Sequence, residues 1–204
     1  MEQIGLLGGA FDPIHWGHIQ LCKEAVQRLN LDQIQFLPSY EHPFKGQKYL
    51  FTFEQRCQLI NLAIDETLNE TNASCNQVES QLEGTNYTYK TISWLKEQNK
   101  NSHYTFFIGT DNLTQLHLWK NILDLPSICD IVCFARQGFE TQAILNNLSN
   151  HFAETFCENI INNLIEISLP EISSTEIKSA ISTHKLTPNM LPSNCVDYIE
   201  ELKA

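Results

Sequence analysis

Apolar residues fall into two spacings along this chain, and the two spacings alternate. Ile4-Gly5-Leu6-Leu7 is a short apolar run closed by Gly8-Gly9. Leu21, Cys22, Ala25, Val26 and Leu29 then recur at helical spacing and predict a one-sided helix from His18 onward. Ile34-Gln35-Phe36-Leu37, stopped by Pro38, predicts a second strand. A strand–helix–strand unit of this length implies a parallel pair with a right-handed crossover. Thr52 and Gln55 form a capping box ahead of Phe53, Cys57, Ile60 and Ile64, which share one helical face.

The alternation continues to the C-terminus. Tyr87 to Asn99 predicts a helix, Tyr104 to Ile108 a strand ended by Gly109, and Ile128 to Ala135 a buried strand. Leu164 to Ile167 predicts a late strand, Ser173 to Thr183 a helix, and Ser193 opens a last helix after Pro192. The Asn-rich stretch from Asn146 to Asn163 reads as a surface helix and loop without chemistry of its own. The pattern predicts an α/β fold built on a doubly wound parallel sheet. At 204 residues one domain is expected over residues 1–204, with a C-terminal helical part over about residues 170–204.

Composition narrows the function classes. A formal net charge of −11 argues against general nucleic-acid binding, which needs a basic footprint. It leaves room for a nucleotide site, because a few local cations and backbone N–H groups can hold phosphates in an acidic protein. Seven scattered cysteines without a C-x-x-C pair point to reduced, structural thiols rather than a disulfide framework or zinc site. No signal-peptide pattern and no membrane-length apolar stretch is visible, so a cytoplasmic location and no membrane partner are expected.

The candidate chemistry starts at the double glycine. Gly8-Gly9 closes the first predicted strand, at the rim where ligands bind in such sheets. Glycine there lets backbone N–H groups approach phosphate oxygens. The turn fits neither G-x-G-x-x-G nor the P-loop, which disfavours hydride-transfer cofactors and P-loop chemistry. His15 and His18 stand three apart at the start of the first helix, where they share a face and where anions are favoured. Two imidazoles aimed at one space suit a triphosphate, and Gly17 leaves the helix start clear. Taken alone, H-x-x-H also describes two surface histidines; a zinc pair would place them four apart and add a third ligand, so no metal ligands are assigned. Near the C-terminus Ser173 and Glu176 form a second capping box, and Ser173, Ser174 and Thr175 line a helix start followed by Lys178.

The stretch Gly8-Gly9-Ala10-Phe11-Asp12-Pro13-Ile14-His15-Trp16-Gly17-His18 resembles the opening of the H-x-G-H nucleotidyltransferase superfamily. Within it, the stretch resembles the nicotinate mononucleotide adenylyltransferase family most closely. Ile172 to Lys178 resembles the superfamily's second ATP motif, I-S-S-T-x-I-[RK], with Lys178 where Arg is usual. The resemblance implies a Rossmann-like nucleotidyltransferase fold and ATP contacts from Gly8, Gly9, Ala10, Phe11, His15, Gly17, His18, Ser173, Ser174, Thr175 and Lys178. It implies catalytic roles for His15, His18 and Lys45, with the histidines and lysines neutralising phosphate charge.

Further matches favour the nicotinate branch. Asn86-Tyr87-Thr88 is similar to the family's S-Y-T element, and Phe107 to Leu113 to its F-I-I-G-x-D segment. Trp119 falls where the family stacks a tryptophan on the pyridine ring, a role that suits a flat π-face. Arg136 ends a predicted strand at the family's R-P-G region. Thr88, Asp111, Trp119 and Arg136 are thereby the implied acceptor-binding residues. The family's P-P-H-[KR] is replaced by Glu41-His42-Pro43-Phe44-Lys45, and Lys120 follows the tryptophan in place of an aromatic or His. The implied reaction is adenylyl transfer from ATP to nicotinate mononucleotide in NAD biosynthesis, with Mg²⁺ carried by the ATP phosphates. Nicotinamide mononucleotide, another phosphorylated acceptor, or a catalytically weak nucleotide sensor are the alternatives left open.

Overall fold

A computed structural model describes residues 1–41, 48–136 and 140–202, except for the side chains of Arg136 and Thr141. Its frame is a six-stranded sheet in the order β3-β2-β1-β4-β5-β6, with every neighbouring pair parallel. The strands are β1 (Glu2–Gly9), β2 (Gln33–Pro38), β3 (Ala73–Cys75), β4 (Ser102–Gly109), β5 (Asp130–Arg136) and β6 (Leu164–Ile167). The chain winds outward from β1 through β2 to β3, then returns to the other side of β1 with β4. That reversal puts the topological switch between β1 and β4, and ligands in such sheets bind beyond the carboxyl ends of the strands there.

Period-2 alternation along each strand divides the core into two layers. Leu7, Phe36, Phe107, Val132 and Phe134 face one layer, which α1 (Trp16–Leu29) and α2 (Phe53–Thr67) cover together with α7 (Ser174–Ser182) and α8 (Ser193–Glu201). Ile4, Leu6, Tyr104, Phe106, Ile131 and Cys133 face the other. That second layer is covered by α3 (Thr88–Gln98), α5 (Thr141–Ser149), α6 (Glu154–Asn162) and the segment opened by the short α4 (Thr110–Leu113). Strands buried on both faces read as continuous apolar runs, which is why β1, β4 and β5 stand out in the sequence.

Three parts of the chain depart from the expected pattern. β3 is only three residues, Ala73-Ser74-Cys75, and carries no apolar run; it forms because Ile34 to Phe36 offer it a ladder. The Asn-rich stretch is two helices, α5 and α6, rather than a surface helix and loop. Its asparagines surround Leu148, Cys157 and Ile160, all of them buried in the second layer. The predicted strand from Ile128 starts two residues later, because Leu125–Ser127 make a 3-10 turn that carries the chain to Asp130.

α8 has no side-chain cap of its own, since Pro192 precedes its first residue. The cap comes from α2: the Glu66 carboxylate accepts from Ser193 N at 3.0 Å and Asn194 N at 2.8 Å. An acidic group at a helix N-terminus also meets the positive end of the helix dipole. Glu66→Ala is expected to cost about 1 kcal/mol and lower the Tm by about 2–4 °C. Thermal denaturation by circular dichroism checks this, and an unchanged Tm contradicts it.

Candidate active site

The turn between β1 and α1 carries the most constrained chemistry in the molecule. The Gly9 carbonyl accepts from Ser39 N at 2.9 Å and Ser39 Oγ at 3.3 Å, which ties the end of β1 to the end of β2. Phe11 is buried in the left-handed region at φ 46°, with its ring edge-on to His18 (5.0 Å) and Phe36 (5.6 Å). The spaces next to Gly8 and Gly9 are filled by rings rather than left open. A Cβ at Gly8 would lie 3.0 Å from Phe106, and one at Gly9 3.2 Å from Phe11.

His15 is the N-cap of α1, and its ring serves as the cap. Gly17 N–H donates to His15 Nδ1 at 3.1 Å, and His15 N–H donates to His18 Nδ1 at 3.3 Å. The two rings lie 3.8 Å apart between centroids, tilted by 32°. Gly17 is required for this arrangement: a Cβ there would sit 2.9 Å from His15 Cε1. The space expected to stay clear for a ligand thus holds the imidazole itself.

A backbone N–H can only donate, so both Nδ1 atoms are acceptors and both rings carry their proton on Nε2. Protonating either Nδ1 breaks a cap bond. Burial and the neighbouring His15 ring hold His18 well below the ordinary imidazole value. With Nδ1 accepting, each ring can present an Nε2–H donor. Developing phosphate charge can be stabilised by such oriented donors without a formal positive charge.

Asp12 is the second anchor. Its buried carboxylate accepts from Leu50 N at 2.9 Å and Phe51 N at 3.0 Å, and pairs with Lys178 Nζ at 2.6 Å. Lys178 thus faces Asp12 and is itself only half-buried. The helix start that carries it docks on the same turn: Ser174 Oγ donates to Pro13 O at 3.1 Å. Ser173 caps α7 by accepting from Glu176 N, while its hydroxyl donates to Glu176 Oε2 at 2.7 Å. Thr175 is exposed. Trp16 closes the seam, its indole N–H donating to Pro188 O at 2.8 Å. His15, His18, Ser174 and Lys178, remote in sequence, therefore meet at the carboxyl end of β1.

The implied acceptor residues lie toward β4. Asp111 follows Gly109 at the end of that strand, next to β1 in the sheet, and is exposed in α4. Trp119 is half-buried and edge-on to Phe106 at 6.1 Å, and the same Phe106 ring covers Gly8. Thr88 opens α3, which is tied back to β2 through Glu79: Thr91 Oγ1 donates to one oxygen at 3.2 Å and Tyr40 N to the other at 3.0 Å. Lys45 lies outside the described residues, with His42 and Phe44, and so does the Arg136 side chain.

Two anchors escaped the sequence reading. Asp12 lies inside the motif, but its partners are backbone amides, which leave no mark in sequence. Arg56 is fully buried and donates to Ala10 O at 2.6 Å and Ser39 O at 2.8 Å. Its signal was available: it falls on the apolar face of α2 between Phe53 and Ile60. Among the described residues no group of three or more His, Cys, Asp or Glu could hold a metal ion, and no helix is long and apolar enough to cross a membrane.

The model of the cytidylyltransferase-like family matches residues 6–180, from β1 through α7. The chain belongs to this family. A probable nicotinate-nucleotide adenylyltransferase of Clostridium novyi (strain NT) is 34% identical over 192 residues, covering 94% of this chain and 93% of that one. Another of Clostridium tetani (strain Massachusetts / E88) is 31% identical over 201 residues, covering 98% of both. The solved Plasmodium falciparum nicotinic acid mononucleotide adenylyltransferase complexed with NaAD shares the fold, with a TM-score of 0.74. It is 18% identical, covering 100% of this chain and 97% of that one.

Burial lowers the His18 value in the folded protein. The folded value lies below the unfolded one, near 6.5, so protons bind preferentially to the unfolded chain. The contribution to stability is complete above about pH 6.5 and is lost as pH falls below it. An NMR titration of the nucleotide-free protein should show the His18 ring neutral, protonated at Nε2, with its midpoint below 6.5. A midpoint at or above that value contradicts the cap geometry.

Proposed function

We propose that this chain transfers the adenylyl group of ATP to nicotinate mononucleotide, giving nicotinate adenine dinucleotide and pyrophosphate. The observation that carries this reading is the meeting of two helix starts at the carboxyl end of β1. One bears His15, Gly17 and His18, and the other bears Ser173 to Lys178. Full-length relatives named for this activity support the acceptor.

A phosphate oxygen of the mononucleotide attacks the α-phosphorus of ATP, and the bond to the β-phosphate's bridging oxygen breaks. The attacking phosphate is already anionic, so no strong base is needed. Binding both substrates in line supplies most of the acceleration. The Nε2–H groups of His15 and His18 donate to oxygens whose charge rises in the transition state. Backbone amides of the Gly8–Phe11 turn and the α7 N-terminus complete the phosphate site. Lys178 contributes charge shared with Asp12, and Lys45 adds a cation from the acceptor side. Mg²⁺ enters as part of the substrate MgATP, since it keeps several waters and seldom needs an all-protein cage. Thr88, Asp111, Trp119 and Arg136 take the pyridine side. Seven free cysteines, six of them buried, support a reduced, cytoplasmic setting. The docking of α7 and α8 on the sheet supports residues 1–204 acting as one unit.

Dinucleotide and pyrophosphate formation, measured with nicotinate and nicotinamide mononucleotides side by side, tests the assignment. At least about tenfold higher kcat/KM on the nicotinate form is expected, since a buried polar contact discriminates such pairs. Equal or reversed preference moves the acceptor to the amide. His18→Ala should lower kcat by about 10²–10³-fold with the circular dichroism spectrum unchanged. Near-wild-type turnover in that variant contradicts the role given to the imidazole.

A further inference from the structure

Arg56 is a cation in the core whose presence packing alone does not explain. The residue is entirely buried, and burial pushes its guanidinium down from the ordinary arginine value. Among the described residues no carboxylate pairs with it directly, and its Nε has no hydrogen-bond partner. Its planar group lies on the Tyr49 ring, 4.0 Å from the centroid, with Phe53 at 5.5 Å. Burying an unpaired cation is costly, and an apolar side chain of similar volume at such a site is often neutral or stabilising.

What Arg56 gains is control of one peptide group. Its Nη1 draws the Ala10 carbonyl inward at 2.6 Å, and its Nη2 takes Ser39 O at 2.8 Å. The Ala10–Phe11 peptide is trans, so its C=O and N–H point in opposite directions. With the carbonyl held by Arg56, the Phe11 N–H points the opposite way, and no protein acceptor meets it among the described residues. Phe11 holds this orientation at φ 46°, a conformation unfavourable for a bulky residue without outside restraint.

We propose that Arg56 is a positioning residue for the nucleotide, turning the Phe11 N–H outward to donate to an ATP phosphate. It acts through the Ala10 peptide and does not touch substrate. Ser39, held by the same guanidinium, keeps the β1 end in register through Gly9. This inference rests on the ATP half of the function proposed above.

The test compares the full chain with Arg56→Met and Arg56→Lys. Calorimetry gives the Kd for MgATP, steady-state kinetics give KM for each substrate, and thermal melts give the Tm. A misplaced donor should raise the ATP Kd and KM by on the order of 10²-fold in Arg56→Met, leaving KM for the mononucleotide within about twofold. Arg56→Lys keeps the charge and one carbonyl contact, and should recover to within about tenfold of wild type. A purely structural role predicts a lower Tm with ATP affinity unchanged, or equal shifts for both substrates, and either result overturns the proposal. Loss of fold in both variants overturns it as well. If the wild type binds ATP without turning over the mononucleotide, the function assignment fails, while the Kd comparison still decides the role of Arg56.

Discussion

A carboxylate removed from water must find its donors in the protein, and at Asp12 those donors come from distant parts of the chain. Leu50 and Phe51 amides reach it from the segment that precedes α2, and Lys178 from the first turns of α7. Burying the charge is favourable only while all of these bonds are made. The approach of α7 to the β1–α1 turn is therefore not a loose surface contact. Ser174 and Trp16 add bonds on either side of the same seam, to Pro13 and Pro188. Once Asp12 is seated, the residues just after it have little freedom left, and His15 arrives at the start of α1 in cap geometry.

That geometry changes the chemistry from what two histidines near a phosphate first suggest. Cations would attract a triphosphate through long-range charge, and salt would screen them. Preoriented Nε2–H donors of the kind proposed would attract it by direction, at short range. Their orientation is set before any ligand binds, because each ring already satisfies a backbone N–H with its other nitrogen. Preorganisation of this kind favours the transition state, in which phosphate oxygens gain charge at fixed positions. The net charge of −11 is compatible with a site of this kind, which needs no large basic surface.

Where residues report on themselves, the sequence was readable. β1, β4 and β5 are buried on both faces and so appear as apolar runs; α1, α2 and α7 carry one apolar face, and α2 and α7 visible capping residues as well. His15, His18, Ser174 and Lys178 each lie in a short local pattern, and the fold brings them to one place. What stayed hidden depends on partners elsewhere. β3 exists through its ladder with β2, not through its own residues. The asparagines of α5 and α6 masked the few apolar side chains that decide their placement. Asp12 is held by amides, Arg56 by carbonyls, and the tautomers of the two histidines by a helix cap. None of these leaves a pattern in residue type, and the space claimed by the His15 ring over Gly17 is a tertiary fact of the same sort.

The central proposal is that His15 and His18 meet the nucleotide as preoriented Nε2–H donors at the carboxyl end of β1. A crystal structure with a non-hydrolysable ATP analogue tests it most directly. The triphosphate is expected between β1 and β4, with both Nε2 atoms at about 2.7–3.2 Å from phosphate oxygens and both cap bonds to Nδ1 intact. A nucleotide bound elsewhere, or rings rotated so that the cap bonds are broken, contradicts it.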